Sequence, residues 1–556
     1  MTDTSAHRPR VTATGLEVEG KPFTVLGAEI HNSSSSTSEA ISRSFARVRE
    51  LGANTVLAPV AWDLFEPEEN VFDTTLVLAM LEAASAHDLR LIPLWFGSWK
   101  NGQSSYVPAW VKQDGARFTR AESTRGRLEH LSPFCLQSRS ADAHAFAQLM
   151  ACLATADTRG TVVMVQVENE VGLLGDSRDC SPLADAAWES AVPVSVVAAI
   201  ADAPGTPVHA DWLDRGSPSQ GSWAELFGDT LQAHEAFMAH AYAGYIETVA
   251  AAGRQEHDVP LFVNAWLDNS VEDSLTPVPA EGAPVPDDSA EDDSDVAFAG
   301  GAVPGSFPSG GPLPRVASIW RSLAPTVDIL APDYYFGDAD GIFRAFASAG
   351  GHLLIPEMRR SALGVGHMFL ALGEHGAIGV SPFGVDSIER DGADEPSLAD
   401  GYALLAHAVS LRDESPSNET WAFLLTEERH EASFTLGSYV VTVTSKDRFG
   451  LFEPAWPAYG MLIHESDGRL IAVGRGFTLS FSVADRDGVT AGILSADELR
   501  REASGETVVS RRWNGDETAS GHAVRLPPLT PAAPKSFPIP LMSTSTGVVR
   551  VRLYTY

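Results

Sequence analysis

Eight short runs of apolar residues, separated by amphipathic stretches, constrain the fold of this 556-residue chain more than any other feature. The runs are nearly continuous rather than alternating, which is typical of parallel strands covered on both faces. Between the first two runs, residues 41–52 have the apolar spacing of a helix that ends at Gly52. This repeated strand and helix pattern predicts the α/β class, as a (β/α)8 TIM barrel over residues 1–412. The eight runs lie at residues 22–30, 54–62, 89–96, 161–169, 260–266, 327–335, 352–358 and 377–383.

The last quarter of the chain has a different residue pattern. Residues 413–556 contain β-branched and aromatic runs with partial alternation, and turn signals separate these runs. The pattern predicts a C-terminal antiparallel β-sandwich that serves as an accessory domain. A chain of 556 residues also exceeds what one hydrophobic core usually serves, so two domains are expected.

One insertion interrupts the barrel pattern at residues 270–305. Between Val271 and Gly300 the chain is rich in Pro, Ala, Asp and Glu, and it contains no Lys or Arg. The segment follows the fifth predicted strand, so it is expected on the barrel face that carries active sites. It is interpreted as an acidic, Pro-rich loop; a lid or steric gate and a tolerated surface insertion both remain open.

The charge balance limits the partners of the protein. With 39 Lys and Arg against 73 Asp and Glu, the formal net charge of −34 argues against binding of nucleic acid and of anionic membranes. The cysteines and histidines show no metal-ligand spacing, so neither a metal nor a cofactor is expected. The first residues lack the apolar core of a secretion signal, and no apolar run is long enough to span a membrane. A cytoplasmic location is expected unless a removed segment is missing from this sequence, and a homo-oligomer remains one of the open oligomeric states.

Residues that follow the C-terminal ends of barrel strands converge on one pocket. In this chain carboxylates, amides and aromatic rings are frequent at those positions. Such residues favour sugar binding, because aromatic faces stack on C–H surfaces while acids and amides hold hydroxyl groups. A small oligosaccharide or glycoside is therefore the expected substrate. The candidate substrate-binding residues are Glu29, His31, Trp62, Asp63, Trp95, Lys100, Asn101, Asn169, Trp266, Tyr335 and Arg359.

Two further acids at strand ends are candidates for catalysis. Glu170 follows the run at 161–169, and Glu357 follows the segment HLLIP of the seventh run. The fourth and seventh strands lie on opposite parts of a barrel rim, so the two carboxylates can face each other across a substrate. A carboxyl separation of ~5–5.5 Å predicts a retaining glycosidase, and one of ~6.5–9.5 Å predicts an inverting one. Arg359 and a tyrosine of the sixth strand are available as partners that favour the ionised form of Glu357.

Several segments resemble known sequences. Residues 163–172, VMVQVENEVG, resemble the Gln-x-Glu-Asn-Glu-x-Gly signature of the β-galactosidases of glycoside hydrolase family 35. Residues 27–33 and 51–73 are similar to the first-strand and second-strand segments of that family, although Asp63 stands at an Asn position and Glu29 where many members have a small residue. A bacterial branch with a characteristic C-terminal β domain is matched more closely, at residues 94–112, 308–316, 328–335 and 355–360. Its fifth-strand loop is short, so the acidic insertion is a departure.

The resemblance implies a function and assigns roles to individual residues. It implies a retaining, exo-acting β-galactosidase in which Glu170 is the acid/base and Glu357 the nucleophile, with Tyr335 as the sixth-strand tyrosine. Hydrolysis would release terminal, non-reducing β-D-galactosyl residues by double displacement. Two alternatives stay open, namely a retaining glycosidase for a fucoside, arabinoside or glucoside, and a non-catalytic carbohydrate-binding barrel.

Overall fold

The computed structural model describes residues 8–269, 301–390, 392, 394–415, 417, 419–446, 453–484, 488–530 and 545–556. The greater part of the predicted insertion, residues 270–300, lies outside the described residues.

The strands of the described residues are short and numerous. In chain order they are β1 Arg10–Thr12, β2 Gly15–Val18, β3 Lys21–Pro22, β4 Val25–Glu29, β5 Thr55–Ala61, β6 Arg90–Phe96, β7 Arg120–Ser123, β8 Gly126–Leu131, β9 Val165–Val167, β10 Leu261–Trp266, β11 Ile329–Tyr334, β12 Leu354–Met358, β13 Gly379–Pro382, β14 Thr420–Leu425, β15 Glu431–Leu436, β16 Tyr439–Thr444, β17 Ala458–Ser466, β18 Arg469–Arg475, β19 Phe477–Val483, β20 Ala491–Arg501, β21 Thr507–Trp513, β22 Ala523–Leu526 and β23 Val548–Thr555.

Helices lie between most of the barrel strands. Those of the described residues are α1 Ser38–Leu51, α2 Trp62–Phe65, α3 Thr75–Ala86, α4 Ala109–Gln113, α5 Leu136–Ala156, α6 Pro182–Glu189, α7 Val194–Ala201, α8 Pro207–Asp214, α9 Trp223–Phe227, α10 Leu231–Glu256, α11 Ala317–Leu323, α12 Ala339–Gly350, α13 Ala362–Gly373 and α14 Asp394–Glu414. Short 3-10 helices lie at Pro314–Val316, Val385–Ser387 and Gly515–Thr518.

Eight strands close into a parallel barrel, which confirms the predicted fold class. Around the barrel they follow chain order, as β4, β5, β6, β9, β10, β11, β12 and β13. Each of the eight predicted apolar runs contains one of these strands. Apolar residues occupy successive positions because both strand faces are covered; every residue of β4, β11 and β12 is buried. The strand ends thereby place Glu29, Asp333 and Glu357 at or near the last positions of β4, β11 and β12.

Contacts within the chain define two compact units. Among the described residues, the first contains 8–23, 27–47, 54–269 and 301–358, and the second contains 24–26, 48–53 and those from 359 onward. The division predicted after residue 412 stays a prediction.

The second unit contains the antiparallel sheets expected from the sequence. One sheet has the strand order β14-β17-β18-β23-β20-β21, and the other has the order β15-β16-β19-β22. Phe423 and Val551 of the first sheet belong to the same buried apolar cluster as Val441 and Leu479 of the second. The two sheets therefore share one core, as in a β-sandwich.

Among the described residues, every helix is too short or too polar to cross a lipid bilayer.

Candidate active site

Three acids from separate parts of the sequence meet at the C-terminal ends of the barrel strands. One carboxylate oxygen from each of Glu170, Asp333 and Glu357 lies within 4.8 Å of the other two. Asp333 and Glu357 are register partners on the neighbouring strands β11 and β12. All three side chains are buried, with Glu170 6% and Glu357 7% exposed. The structure thus brings together the two acids that the sequence singled out, and it adds a third.

Hydrogen bonds to the backbone hold Glu170 in an unusual conformation. Glu170 has a φ of +46°, and Glu168 just before it has a φ of +61°, a left-handed region that non-glycine residues rarely adopt. The Glu170 N–H donates to Oδ1 of Asn264 at 3.0 Å, and the amide Nδ2 of Asn264 donates to Asp333 at 2.6 Å. The Gly102 N–H donates to the Glu170 carbonyl at 3.2 Å. These bonds fix the backbone that carries the Glu170 carboxyl group.

The two carboxylate oxygens of Glu357 have different surroundings. The Tyr335 hydroxyl donates to Oε1 of Glu357 at 2.5 Å. Among the described residues, nothing hydrogen-bonds the buried Oε2. One oxygen is therefore held in place and the other is available to a ligand.

Lys100 brings a positive charge into the carboxyl cluster. Its side chain is buried, and its ammonium lies 5.1 Å from the centre of the Phe96 ring. Burial by itself would lower the pKa of Lys100, but the negative charges of Glu357, Glu170 and other acids raise it above the ordinary value. Lys100 therefore remains a cation and lowers the electrostatic cost of the buried carboxylates.

Burial and mutual repulsion keep protons in the cluster at neutral pH. Burial, followed by the charge of Glu357, raises the pKa of Glu170 to about 7; Lys100 and a hydrogen bond with Asp333 act in the opposite direction. The same two causes raise the pKa values of Glu29 and Asp333 well above their ordinary range. The site can thus hold a protonated Glu170 beside Glu357, as acid/base chemistry requires.

Several buried polar atoms at this site have no hydrogen-bond partner among the described residues. They include Oε1 of Glu29, Oε2 of Glu357, and both Oδ1 and Nδ2 of Asn169. A buried polar atom without a partner costs about 1–3 kcal/mol, so such atoms are uncommon in the interior of a protein. Donors and acceptors concentrated in this way suit a ligand that carries several hydroxyl groups.

The same acids could also approach a metal ion. The oxygens of Glu170, Asp333 and Glu357 are close enough to share one, within the part of the chain that the structure describes. The Lys100 ammonium and the protons that burial favours on Glu170 and Asp333 both oppose a dication at this position.

The structure distributes the predicted substrate-binding residues unevenly. Glu29, Lys100, Asn169 and Tyr335 lie at the carboxyl cluster, as shown by the contacts and charges above. Asp63 lines a cavity of about 160 Å³ together with Asn32 and Tyr106. His31, Trp266 and Arg359 are half-buried, and Asn101 is exposed. His31 follows β4, Asn101 follows β6 and Trp266 is the last residue of β10. Arg359 is the first residue of the segment from 359 onward that belongs to the second unit.

Two predicted aromatic residues are used within the fold. Trp62 and Trp95 have no exposed surface, and their rings lie 6.3 Å apart. The Trp62 indole donates to Glu66 at 2.7 Å, and the Trp95 indole donates to Asp142 at 2.9 Å. Their role in substrate binding stays a prediction.

Asn264 and Asp333 were missed as site residues, although both occur at strand ends in the sequence. Their signal was the same as that of Glu357, a polar residue that closes an apolar run. What the sequence could not supply is the register that places Asp333 opposite Glu357, or the amide of Asn264 between Glu170 and Asp333.

Comparison with known proteins gives matches at both ends of the chain. Residues 15–214 match the model described as Glycosyl hydrolases family 35, and residues 398–525 match the Domain of unknown function DUF5597. A β-galactosidase of Xanthomonas manihotis is 29% identical over 170 residues, which cover 28% of this chain and 25% of that protein. The chain thus spans about a quarter of the length of this curated relative.

Solved structures give matches of lower sequence identity. The β-galactosidase from the psychrophilic Marinomonas ef1 aligns with a TM-score of 0.44 and 11% identity over 70% of this chain and 60% of its own. The β-galactosidase from Bacillus circulans sp. alkalophilus aligns with a TM-score of 0.45 and 11% identity over 69% of this chain and 56% of its own. Likeness at this level carries no information on activity.

The family match includes the segment that the sequence analysis identified. It covers strands β4 to β9 and the signature residues Gln166, Glu168, Glu170 and Gly172. The resemblance stated from those residues is therefore confirmed. The chain is thus similar to the glycosyl hydrolases of family 35 over residues 15–214, and to the DUF5597 domain over residues 398–525.

Proposed function

We propose that the protein is a retaining, exo-acting β-galactosidase that releases terminal, non-reducing β-D-galactosyl residues. The observation that carries the proposal is the approach of one oxygen each from Glu170 and Glu357 to within 4.8 Å. This distance favours the retaining carboxyl separation of ~5–5.5 Å over the inverting one of ~6.5–9.5 Å. The family 35 match and the β-galactosidase name of the Xanthomonas manihotis relative support the choice of sugar.

In the first step, Glu357 forms a bond to the sugar. Oε2 of Glu357 attacks the anomeric carbon while Oε1 stays hydrogen-bonded to Tyr335. The bond between the anomeric carbon and the glycosidic oxygen breaks, and Glu170 gives its proton to that oxygen. The alcohol leaves, and the sugar remains covalently attached to Glu357.

In the second step, water replaces Glu357. Glu170, now ionised, takes a proton from a water molecule, whose oxygen bonds to the anomeric carbon as the bond to Glu357 breaks. Two inversions at one carbon give net retention. Lys100 stabilises the negative charge that alternates between the two glutamates, since it interacts with both.

Hydroxyl groups of the sugar would form hydrogen bonds with the buried polar atoms that have no partner among the described residues. The side chain of Asn169 offers a donor and an acceptor next to Glu170, and Glu29 offers an oxygen at the end of β4. A substrate that satisfies these atoms regains the free energy that their burial costs. No metal or cofactor takes part in this mechanism.

Covalent labelling tests sugar, mechanism and nucleophile together. The protein is incubated with a 2-deoxy-2-fluoro β-galactoside that carries a good leaving group, and peptides are then analysed by mass spectrometry. We expect one added fluorogalactosyl group on Glu357. Matched fluoro-fucoside, arabinoside and glucoside reagents serve as controls, and preferential labelling by one of them would replace galactose in the proposal. No labelling by any reagent, with sugar binding retained, would favour a non-catalytic barrel.

Location, domain division and oligomeric state complete the proposal, and each has its own test. The sequence pattern supports a cytoplasmic location, a barrel domain to residue 412 and an accessory domain from 413. Cell fractionation tests the location, limited proteolysis tests the domain division, and light scattering tests for a homo-oligomer.

A further inference from the structure

A second pair of buried acids lies behind the carboxyl cluster. Glu168 follows β9, and Asp142 belongs to helix α5. Both side chains are fully buried, with no exposed surface. The mechanism described above uses neither residue.

Glu168 binds the backbone of the segment that precedes Lys100. Its Oε1 accepts a hydrogen bond from the Ser98 N–H at 3.0 Å, and its Oε2 accepts one from the Trp99 N–H at 2.8 Å. In return, the Asn169 N–H donates to the Trp99 carbonyl at 3.3 Å. The chain around the acid/base residue and the chain that carries Lys100 are therefore joined by bonds in both directions.

Asp142 occupies the other side of the pair. Its Oδ1 accepts from the Trp95 indole at 2.9 Å, and its Oδ2 accepts from the Tyr245 hydroxyl at 3.2 Å. The Tyr245 hydroxyl is also 2.7 Å from Oγ of Ser98. Asp142 is thus fixed by neutral donors, and no cation is among these partners of the described residues.

The two acids must hold a proton between them. The two carboxyl groups are neighbours, because a Cβ atom at Gly97 would lie 2.4 Å from Oε1 of Glu168 and 2.9 Å from Oδ1 of Asp142. Two ionised carboxylates offer only acceptors, so a hydrogen bond between them needs a proton. Burial, followed by the charge of Asp142, raises the pKa of Glu168 well above its ordinary value. The proton therefore belongs on Glu168 while Asp142 accepts from Trp95 and Tyr245.

Close packing leaves the pair little freedom. A Cβ atom at Gly97 would lie 2.3 Å from the Trp95 indole nitrogen and 2.4 Å from Oε1 of Glu168. Gly97 therefore lets the backbone before Ser98 approach both groups, where any other residue would collide with them.

We propose that Glu168 and Asp142 share one proton and together act as positioning residues, which hold Glu170 and Lys100 in their working places. The pair fixes the strained Glu168–Glu170 backbone from one side and the Ser98–Trp99 backbone from the other. This inference rests on the proposed glycosidase function for its kinetic consequence, but the shared proton is independent of that function.

The kinetic experiment compares E168Q with E168A. The Gln amide is a neutral analogue of a protonated Glu: its carbonyl can accept from the Trp99 N–H in place of Oε2, and its NH2, in place of Oε1, donates to Asp142, so that only the bond from the Ser98 N–H is lost. We expect kcat/KM of E168Q within about threefold of wild type, whereas E168A loses about a hundredfold or more on a substrate whose poor leaving group needs the acid. With a dinitrophenyl galactoside, whose departure needs no proton, the loss in E168A should be about tenfold smaller.

D179A serves as the matched control. Asp179 is equally buried and accepts from Ser132 and Ser181, yet it is not linked to Glu170 or Lys100 by these bonds. Its loss should lower the thermal midpoint without changing the ratio of rates on the two substrates. An equal loss on both substrates in E168A would reduce the pair to a structural role and overturn the proposal.

An infrared experiment tests the proton without any measurement of activity. The difference spectrum of wild type minus E168Q at pH 8 should contain the carbonyl stretching band of a protonated carboxyl group. D142N should lack the same band, because the Asn amide can donate to an ionised Glu168. D142N also keeps the test decisive if E168A fails to fold.

Each result then has one meaning. If the wild-type spectrum lacks the band, or if E168Q is as inactive as E168A, Glu168 acts as an anion. Either result would overturn the proposal that the two acids share a proton. If wild type hydrolyses no glycoside but shows the band, the proposed function fails while the proton-sharing pair stands.

Discussion

The reactivity of the site depends on how charge is divided among a few buried residues. Four carboxyl groups, those of Glu29, Glu170, Asp333 and Glu357, influence one another and the Lys100 ammonium. Water is largely excluded, so these interactions are stronger than they would be at a surface. The proton count at each pH therefore decides whether Glu170 is ready to act as an acid.

Azide separates the roles of the two glutamates. In Glu357→Gly, azide should enter the vacated space, restore turnover on an activated aryl galactoside and give a glycosyl azide of inverted configuration. In Glu170→Gly, azide should attack the covalent intermediate and give the retained product, with activity on poor leaving groups reduced by about 10²–10⁴-fold. Product configuration is read by NMR.

The exposed Glu428→Gly variant is the control and should be insensitive to azide. The opposite pattern of product configurations would exchange the two roles, and no rescue in either variant would contradict the double displacement.

The pH profile of kcat/KM should report the proton on Glu170. The pKa of Glu170 is about 7 in the free protein, and the acid form is required for the first step. We expect kcat/KM to fall as the pH rises above about 7, by about tenfold per unit. In Lys100→Met the falling limb should move to higher pH, because the charge of Lys100 lowers the pKa of Glu170.

The control for this shift is Lys21→Met, which removes a lysine that is exposed on β3. Its profile should match wild type. A falling limb at the same pH in wild type and Lys100→Met would show that another group controls the profile.

The sequence identifies some residues of the candidate site but not others. Glu170 and Glu357 could be found because each closes an apolar run at a strand end, and because the segment around Glu170 resembles a family signature. Asp142 could not be found, since it lies within helix α5 and gains its meaning only from contact with Glu168. Strand ends can be read from one sequence, whereas contacts between a helix and a strand end depend on packing.

At the scale of elements, the barrel strands were predictable and the C-terminal strands less so. Each barrel strand is buried on both faces, which gives a continuous apolar run with clear ends. The continuous β-branched and aromatic run at 433–445 contains no obvious break in its pattern, yet it belongs to the hairpin of β15 and β16 around Gly437. β20 is hard to recognise from the sequence because it contains Asp497 and Glu498, whose charges pair with Arg512 and Arg511 of β21 and so allow burial.

The turn after β9 depends on a glycine. Gly172 has a φ of +140°, and a Cβ atom there would lie 2.5 Å from atoms of Pro308, including its backbone oxygen. Gly172→Ala should therefore reduce the free energy of unfolding in two ways, through backbone strain of about 1–3 kcal/mol and through overpacking of about 1–3 kcal/mol. Urea denaturation followed by circular dichroism measures the total.

Gly126→Ala isolates the first of these costs. Gly126 has a similar φ of +133°, but nothing lies within 4 Å of the position of its Cβ. The free energy of unfolding of Gly126→Ala should therefore fall only by the backbone strain of about 1–3 kcal/mol. Equal losses in the two variants would show that Pro308 yields and that close packing does not explain the glycine.

At the scale of the whole molecule, buried acids and histidines set the pH range of stability. Burial raises the pKa values of Glu170 and Glu235 to about 7, and it raises those of Glu29, Glu168 and Asp333 well above the ordinary range. Such acids bind more protons folded than unfolded, so their contribution is present below the unfolded pKa and is lost as the pH rises. Burial lowers the pKa of His130, His240 and His407 to about 4, which costs stability as the pH falls below about 6.5.

The thermal midpoint should therefore fall as the pH is raised from about 6.5 to 8, where the histidines no longer change and the acids lose protons. Differential scanning calorimetry at several pH values measures this fall, and it should be smaller in Glu170→Gln, which lacks one of the titrating groups. The net charge of −34 adds self-repulsion that salt screens, so 0.5 M NaCl separates the two contributions. A midpoint that rises over this interval would contradict the protonated state of the buried acids.

The buried polar atoms of Glu29, Asn169 and Glu357 that have no hydrogen-bond partner in the part of the chain that the structure describes have one further consequence. Each represents free energy that the molecule forgoes when it folds and would recover on binding the sugar proposed above. The unliganded protein should for this reason be less stable than its complex with the product. Bound product should therefore protect it against heat and proteases. The atoms proposed to bind the substrate are thus the same atoms that lower the stability of the unliganded protein. The stability of the protein should therefore depend on the concentration of substrate and product.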